Sequence, residues 1–138
     1  MDNRSDVRIT LSENGFRCLS SHVEQYLRQN HLSPVNSILK HMDVCHQTKD
    51  AIYFGWNHIR WRESDDAIFM IMSGLTYLEE CEYSYRFTRI GKDHEDLDEY
   101  SYDGRKDRNT RLQQPAIICR FDDSRIIRNM DHKRDPQR

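Results

Sequence analysis

Hydrophobic spacing changes period several times along this chain, and that alternation narrows the fold more than any other feature. Val7, Ile9 and Leu11 recur at every second residue against Arg8 and Thr10, which predicts a half-buried strand over 7–11. The period then lengthens. Ser12 offers an N-cap, and Phe16, Leu19, Val23 and Leu27 follow at helical spacing, so a helix is expected over about 13–30 with one apolar stripe. Ser33-Pro34 reads as a second helix start, with Val35, Ile38, Met42 and Cys45 as its stripe and an end near Gln47. Between Lys49 and Trp61 the residues turn β-branched and aromatic. Apolar parity there switches from Ile52, Phe54 and Trp56 to Ile59 and Trp61, which calls for a bulge or bend near Gly55–Asn57.

Ser64 with Asp65 and Asp66 opens a further helix, since a hydroxyl caps orphan amides and carboxylates favour the positive end of the helix dipole. Ile68, Ile71, Leu75 and Leu78 mark its buried face, and Gly74 allows a close neighbour. Tyr83, Tyr85 and Phe87 alternate with Ser84, Arg86 and Thr88, predicting a third strand that ends at Gly91. Residues 93–107 lack apolar periodicity and read as a loop. Pro115–Phe121 reads as a fourth strand antiparallel to the third, with a short piece at Ile126-Ile127 and a frayed tail over about 129–138.

The expected order is therefore β-α-α-β-α-β-β. It implies an α+β two-layer sandwich, a small, mainly antiparallel sheet with helices packed on one face and the other face partly open. A length of 138 residues suits one domain spanning 1–138, with a mobile charged loop at about 92–114. The longest apolar run, Ala67 to Met72, is six residues, and the N-terminus has no signal-type stretch, so the expectation is a cytoplasmic protein without membrane insertion. Cys18, Cys45, Cys81 and Cys119 are widely spaced and read as reduced, mostly buried thiols.

Chemistry-bearing motifs are sparse. No G-x-S-x-G elbow, Gly-rich phosphate loop or C-x-x-C pair occurs. His41 and Cys45 have the spacing of two ligands on one helix face, but two ligands do not make a zinc site. The densest feature is Asp93, Glu95, Asp96, Asp98, Glu99 and Asp103, six carboxylates in eleven residues without an interleaved Lys or Arg. Its spacing fails the calcium-loop pattern, because Ser101 stands where a glycine is required. No metal, cofactor or catalytic residue is assigned. The run reads either as solvated charge or as an acidic surface that imitates nucleic-acid phosphates and docks on a basic groove. Tyr100, Tyr102, Trp56 and Trp61 are its candidate aromatic anchors. Arg105, Lys106, Arg108 and Arg111 follow as a basic counterpart, while the net charge of −2 disfavours direct nucleic-acid binding.

Residues 51–103 resemble small accessory proteins of bacteriophages and prophages. These combine an aromatic strand, a helix and a Y-x-F-x-R-I-G-E-x-x-x-D-I-E-like segment. Tyr85, Phe87, Arg89, Ile90, Gly91, Asp96 and Glu99 match that pattern; Lys92 stands where an acid is usual, and Leu97 and Asp98 depart from Ile-Glu. The resemblance implies an accessory protein in the host cytoplasm, of a kind that inhibits host machinery such as CRISPR effectors, and it carries over no catalytic residues. The leading expectation is thus a non-enzymatic inhibitor whose partner is a host protein with a basic nucleic-acid-binding surface. A carboxylate- or metal-dependent enzyme, and a homo-oligomeric regulatory module pairing through a sheet edge, are the alternatives.

Overall fold

In the computed structural model, residues 4–93, 95–112, 114–115, 117 and 121–132 are described. Five antiparallel strands form one sheet: β1 (Arg4–Ser12), β2 (Val44–Gln47), β3 (Ala51–Arg60), β4 (Tyr85–Ile90) and β5 (Leu97–Tyr102), in the order β2-β3-β1-β4-β5. The helices are α1 (Glu13–Gln29), α2 (Asp66–Glu80) and α3 (Asp123–His132). The α+β class and antiparallel sheet follow the expectation, whereas the order of elements does not.

β1 is central and its alternation decides the architecture. Val7, Ile9 and Leu11 pair with Trp56, Phe54 and Ile52 of β3 and face α1 and α2. Leu19, Val23 and Leu27 of α1 and Ile68, Ile71, Leu75 and Leu78 of α2 complete this core. Each such fully buried side chain contributes roughly 1.5–3 kcal/mol. Phe16 packs edge-on against Phe54, with centroids 5.3 Å apart. Gly74 lets the helices meet closely, since a Cβ there would lie 2.3 Å from Leu19 Cδ1. Ser12 caps α1 as expected, its hydroxyl accepting from the Gly15 amide at 3.0 Å. The cap of α2 is Asp65, one residue beyond the expected Ser64.

The expected bulge is present. Ser5 pairs with Ile59 but Val7 with Trp56, so Asp6 faces both Asn57 and His58. Its carboxylate accepts the His58 amide at 2.8 Å, holding His58 at φ 53.

Three expectations need correction. The expected second helix is instead two 3₁₀ turns (Pro34–Asn36 and Ile38–Lys40) followed by β2. Ser33 and Ser37 each accept the amide two residues ahead, restarting the chain rather than propagating a helix. Asp43 then enters the sheet, its amide bonding Gly55 O and its carboxylate accepting the Asn57 amide. Second, the loop expected over 93–107 contains β5, which occupies the place beside β4 expected for Pro115–Phe121. Of that segment, residues 116 and 118–120 lie outside the described residues, and a single bridge joins Ile117 to Phe121. Third, Ile126 and Ile127 belong to α3, whose first turn is capped by Asp122 accepting the Arg125 amide. The expected frayed tail thus begins inside α3, and its residues 133–138 lie outside the described set.

The helices are also not confined to one face. Ile126 and Met130 of α3, with Leu112, cover Ala51 and Tyr53 on the side opposite α1 and α2. Arg8, almost fully buried, fixes α3 there. It donates to Asp123 at 2.8 and 3.0 Å and to Asn57 at 2.6 Å, and lies 4.9 Å from the Phe121 ring centroid. Among the described residues no helix is long and apolar enough to cross a membrane.

Candidate functional site

The β4–β5 register turns the acidic run into an ordered surface. Tyr85 faces Tyr102, Phe87 faces Tyr100 and Arg89 faces Asp98. Because alternate residues share a face, Asp98, Tyr100 and Tyr102 stand on the helix side of the sheet. Cross-strand stacking holds them there, with centroids 5.5 Å apart for Phe87–Tyr100 and 6.3 Å for Tyr85–Tyr102. The ring series continues inward through Trp61, 5.9 Å from Phe87 and 5.8 Å from Trp56. α2 borders this edge with Met72. The space left open is a cleft of about 490 Å³ lined by Trp61, Met72, Phe87, Arg89, Asp98 and Tyr100.

Arg89 organises the floor. Its guanidinium donates to Asp96 at 2.5 Å, Asp98 at 2.8 Å and Ser5 Oγ at 2.8 Å. The hydrogen bond from Arg89 holds the Asp96 carboxyl below the usual carboxylate range, outweighing desolvation. Arg86 pairs with Asp103 at 2.6 Å, and Asp93 accepts the amides of Glu95 and Asp96 at 3.0 and 3.2 Å. Of the six, only Glu95 and Glu99 stand exposed and without such a role among the described residues. Even so, Arg86, Arg89 and Lys92 offset three of the six carboxylates, so the edge keeps a net charge of minus three.

Most of the sequence-derived site residues therefore converge. Asp93, Glu95, Asp96, Asp98, Glu99, Tyr100, Tyr102 and Asp103 lie along β5 and its two ends, and Trp61 borders the same cleft. Trp56 does not belong with them. It is 1% exposed and its indole donates to Ile38 O at 3.1 Å, so it is a core residue and no anchor. Sequence reasoning missed Arg89, Phe87 and Met72. The available signal was Arg89, which falls opposite Asp98 once 97–102 is read as a returning strand.

No protein-family model, curated protein or solved structure matches the chain.

Other polar groupings serve the fold. The buried Asp107 accepts from Ser12 Oγ at 2.6 Å and from the Ser84 amide and hydroxyl, tying the segment after β5 to the ends of β1 and β4. In the basic counterpart, Arg105 pairs with Glu82 and Lys106 lies over the Tyr83 ring. His41 and Cys45 share no helix, which removes the geometric basis for reading them as paired ligands. Among the described residues no three or more His, Cys, Asp or Glu converge on a point suited to a metal ion.

Proposed function

We propose that this chain is a non-enzymatic binding protein that docks its β5 edge and the adjoining aromatic cleft on a basic surface of another protein. The observation that carries this is the placement of six carboxylates along one sheet edge with three compensating cations, beside exposed Tyr100 and half-exposed Trp61. Such an edge attracts a cationic surface at long range, while aromatic side chains supply contact area at close range. Asp96 is a poor proton-transfer group, since the hydrogen bond from Arg89 favours its ionised form. Together with the phage resemblance, the proposed role is inhibition of a host nucleic-acid enzyme in the cytoplasm, by covering the groove that holds phosphates.

The decisive substitutions are Glu95→Gln with Glu99→Gln. Asp96 and Asp98 are unsuitable, because removing them also releases Arg89. Wild type and double variant are used to capture partners from a bacterial lysate at about 50 and about 300 mM salt, where screening lengths differ by more than twofold. The captured enzyme is then tested for nucleic-acid binding with and without the chain. The expected result is a partner that binds at low salt, associates about tenfold more slowly with the variant, and loses nucleic acid on binding. A partner held equally by both forms at both salts would refute the role of the edge.

A further inference from the structure

The β5 edge offers more than charge, because its backbone is unpaired on one side. Gly91 N–H donates to Asp96 O at 2.6 Å, which marks 91 and 96 as a hydrogen-bonded pair. Carried along the register, Asp98, Tyr100 and Tyr102 turn their backbone groups toward β4, and Leu97, Glu99 and Ser101 turn theirs away. The same alternation holds across the sheet, where Glu13 N–H reaches Asp50 O and Thr48 N–H reaches Ala51 O. Leu97, Glu99 and Ser101 are all exposed, and no described residue takes up their outward backbone groups.

Exposed edges are usually blunted by charged side chains, above all Lys, or by Pro, a bulge or shortness. At the opposite edge, β2 is four residues long and His46 is engaged by Asp131 of α3. β5 is six residues long, regular in register, and free of Lys and Pro. Its charge selects the occupant. A second copy brings the same net negative edge, whereas a cationic strand is attracted at Asp98 and Glu99.

We infer that β5 accepts an added strand from the basic partner, and that this strand carries two adjacent basic residues flanked by apolar ones. The inference rests on the binding reading above and specifies how its surface is used. β5 reads apolar-acidic-acidic-apolar over Leu97, Asp98, Glu99 and Tyr100. In an antiparallel pairing, one basic residue stands opposite Glu99 on the outer face and the next opposite Asp98 on the cleft face. The apolar residue before them then meets Tyr100 at the mouth of the cleft, and the one after them meets Leu97. Main-chain bonds supply the attachment and alternate side chains the selectivity.

The probe is a capped octapeptide, Ser-Thr-Val-Lys-Arg-Val-Thr-Ser, titrated into isotopically labelled protein while amide exchange is followed by NMR. Slowed exchange at Leu97, Glu99 and Ser101, with no change at the core amides of β1, is the expected result. Ser101→Pro deletes one outward N–H and none of the bonds to β4, and it is expected to weaken the peptide at least about tenfold while Ser101→Ala does not. Methylating the backbone nitrogen of the peptide's lysine, which faces β5, abolishes binding, and methylating the backbone nitrogen of its arginine, which faces away, leaves it; this arm needs no altered protein. Peptide binding that survives both Ser101→Pro and lysine methylation but falls with Glu99→Gln overturns strand addition and leaves the acidic-edge reading standing. No peptide binding, or self-association through β5 in light scattering, also overturns it, whereas the lysate capture above decides the broader reading separately.

Discussion

Removing the Asp123 carboxylate tests whether the second face of the sheet depends on one ion pair. Arg8 is 2% exposed and carries its charge into the sheet, where Asp123 meets it with two bonds at 2.8 and 3.0 Å. Tyr53 donates to the same carboxylate at 2.5 Å, and burial pushes its hydroxyl well above the usual phenol range, so it remains a donor. Breaking a fully buried pair costs about 3–5 kcal/mol, because one charge is left without its partner. The Asp123 side chain is 30% exposed and Arg8 keeps Asn57 and two backbone carbonyls, so we expect about 2–3 kcal/mol for Asp123→Ala. For a chain of this size that is a fall in Tm of about 6–12 °C. Arg8→Met with Asp123→Leu removes both charges and is expected to cost less than Asp123→Ala alone, since the dominant penalty is the unpaired guanidinium. Urea unfolding followed by circular dichroism measures all three proteins, with the slope checking that the transition stays two-state. If Asp123→Ala lies within about 0.5 kcal/mol of wild type, or the double variant is the less stable, then the pair does not hold α3 in the way argued here.

The remaining predictions concern close packing, acid and thiols. Gly55→Ala places a Cβ 1.9 Å from Val7 O and 2.9 Å from Arg8 Cδ, and is expected to lower stability by about 3 kcal/mol in the same urea assay; a near-neutral result would mean β1 and β3 can separate at that point. Asp96 and Asp123 both titrate below the ordinary carboxylate range: desolvation opposes the shift at Asp123, and Arg8 and Tyr53 outweigh it. Their contribution is therefore complete above the unfolded Asp pKa of about 3.9 and is lost as pH falls through the lower folded values. The urea midpoint contributed by these groups should be level from neutrality to about pH 5 and drop below about pH 4, and a rise there would contradict the sign. Burial, reinforced by the neighbouring Cys81, pushes the Cys18 thiol up to about 11, while Cys45 is exposed on β2. A maleimide time course read by mass spectrometry at about pH 8 should label Cys45 before Cys18; the reverse order would refute the packing assigned to α1.

How much of the fold was legible follows from which residues are buried on one side only. β1, α1 and α2 were readable because each places apolar residues against the main core with a single period, and the bulge in β3 because the apolar parity switches there. The segment after Ser33 misled because Val35, Ile38, Met42 and Cys45 have helical spacing by coincidence. Val35 is 65% exposed and Ile38 is 4% exposed, so no common stripe exists. α3 was missed because its stripe is only Ile126 and Met130 with Ile127, short enough for Ile126-Ile127 to pass as a strand fragment.

The site was legible in composition and illegible in geometry, and the reason is the location of its counter-charges. Density of carboxylates over 93–103 marks an unusual surface, but a count treats all six as available. Arg89 lies seven residues before Asp96 and nine before Asp98, and Arg86 lies seventeen before Asp103, so only the hairpin brings them together. Half the run is thereby spent on securing β5 to β4. In the proposed binding mode that internal use makes the remainder effective, because Glu99 and Tyr100 are presented from a strand of fixed register rather than from a loop. A partner binding there meets less ordering entropy than a mobile acidic loop would impose. It follows that Arg89→Met should weaken partner binding even though it makes the edge more negative: if charge alone governs, affinity rises with this substitution, and if presentation governs, affinity falls.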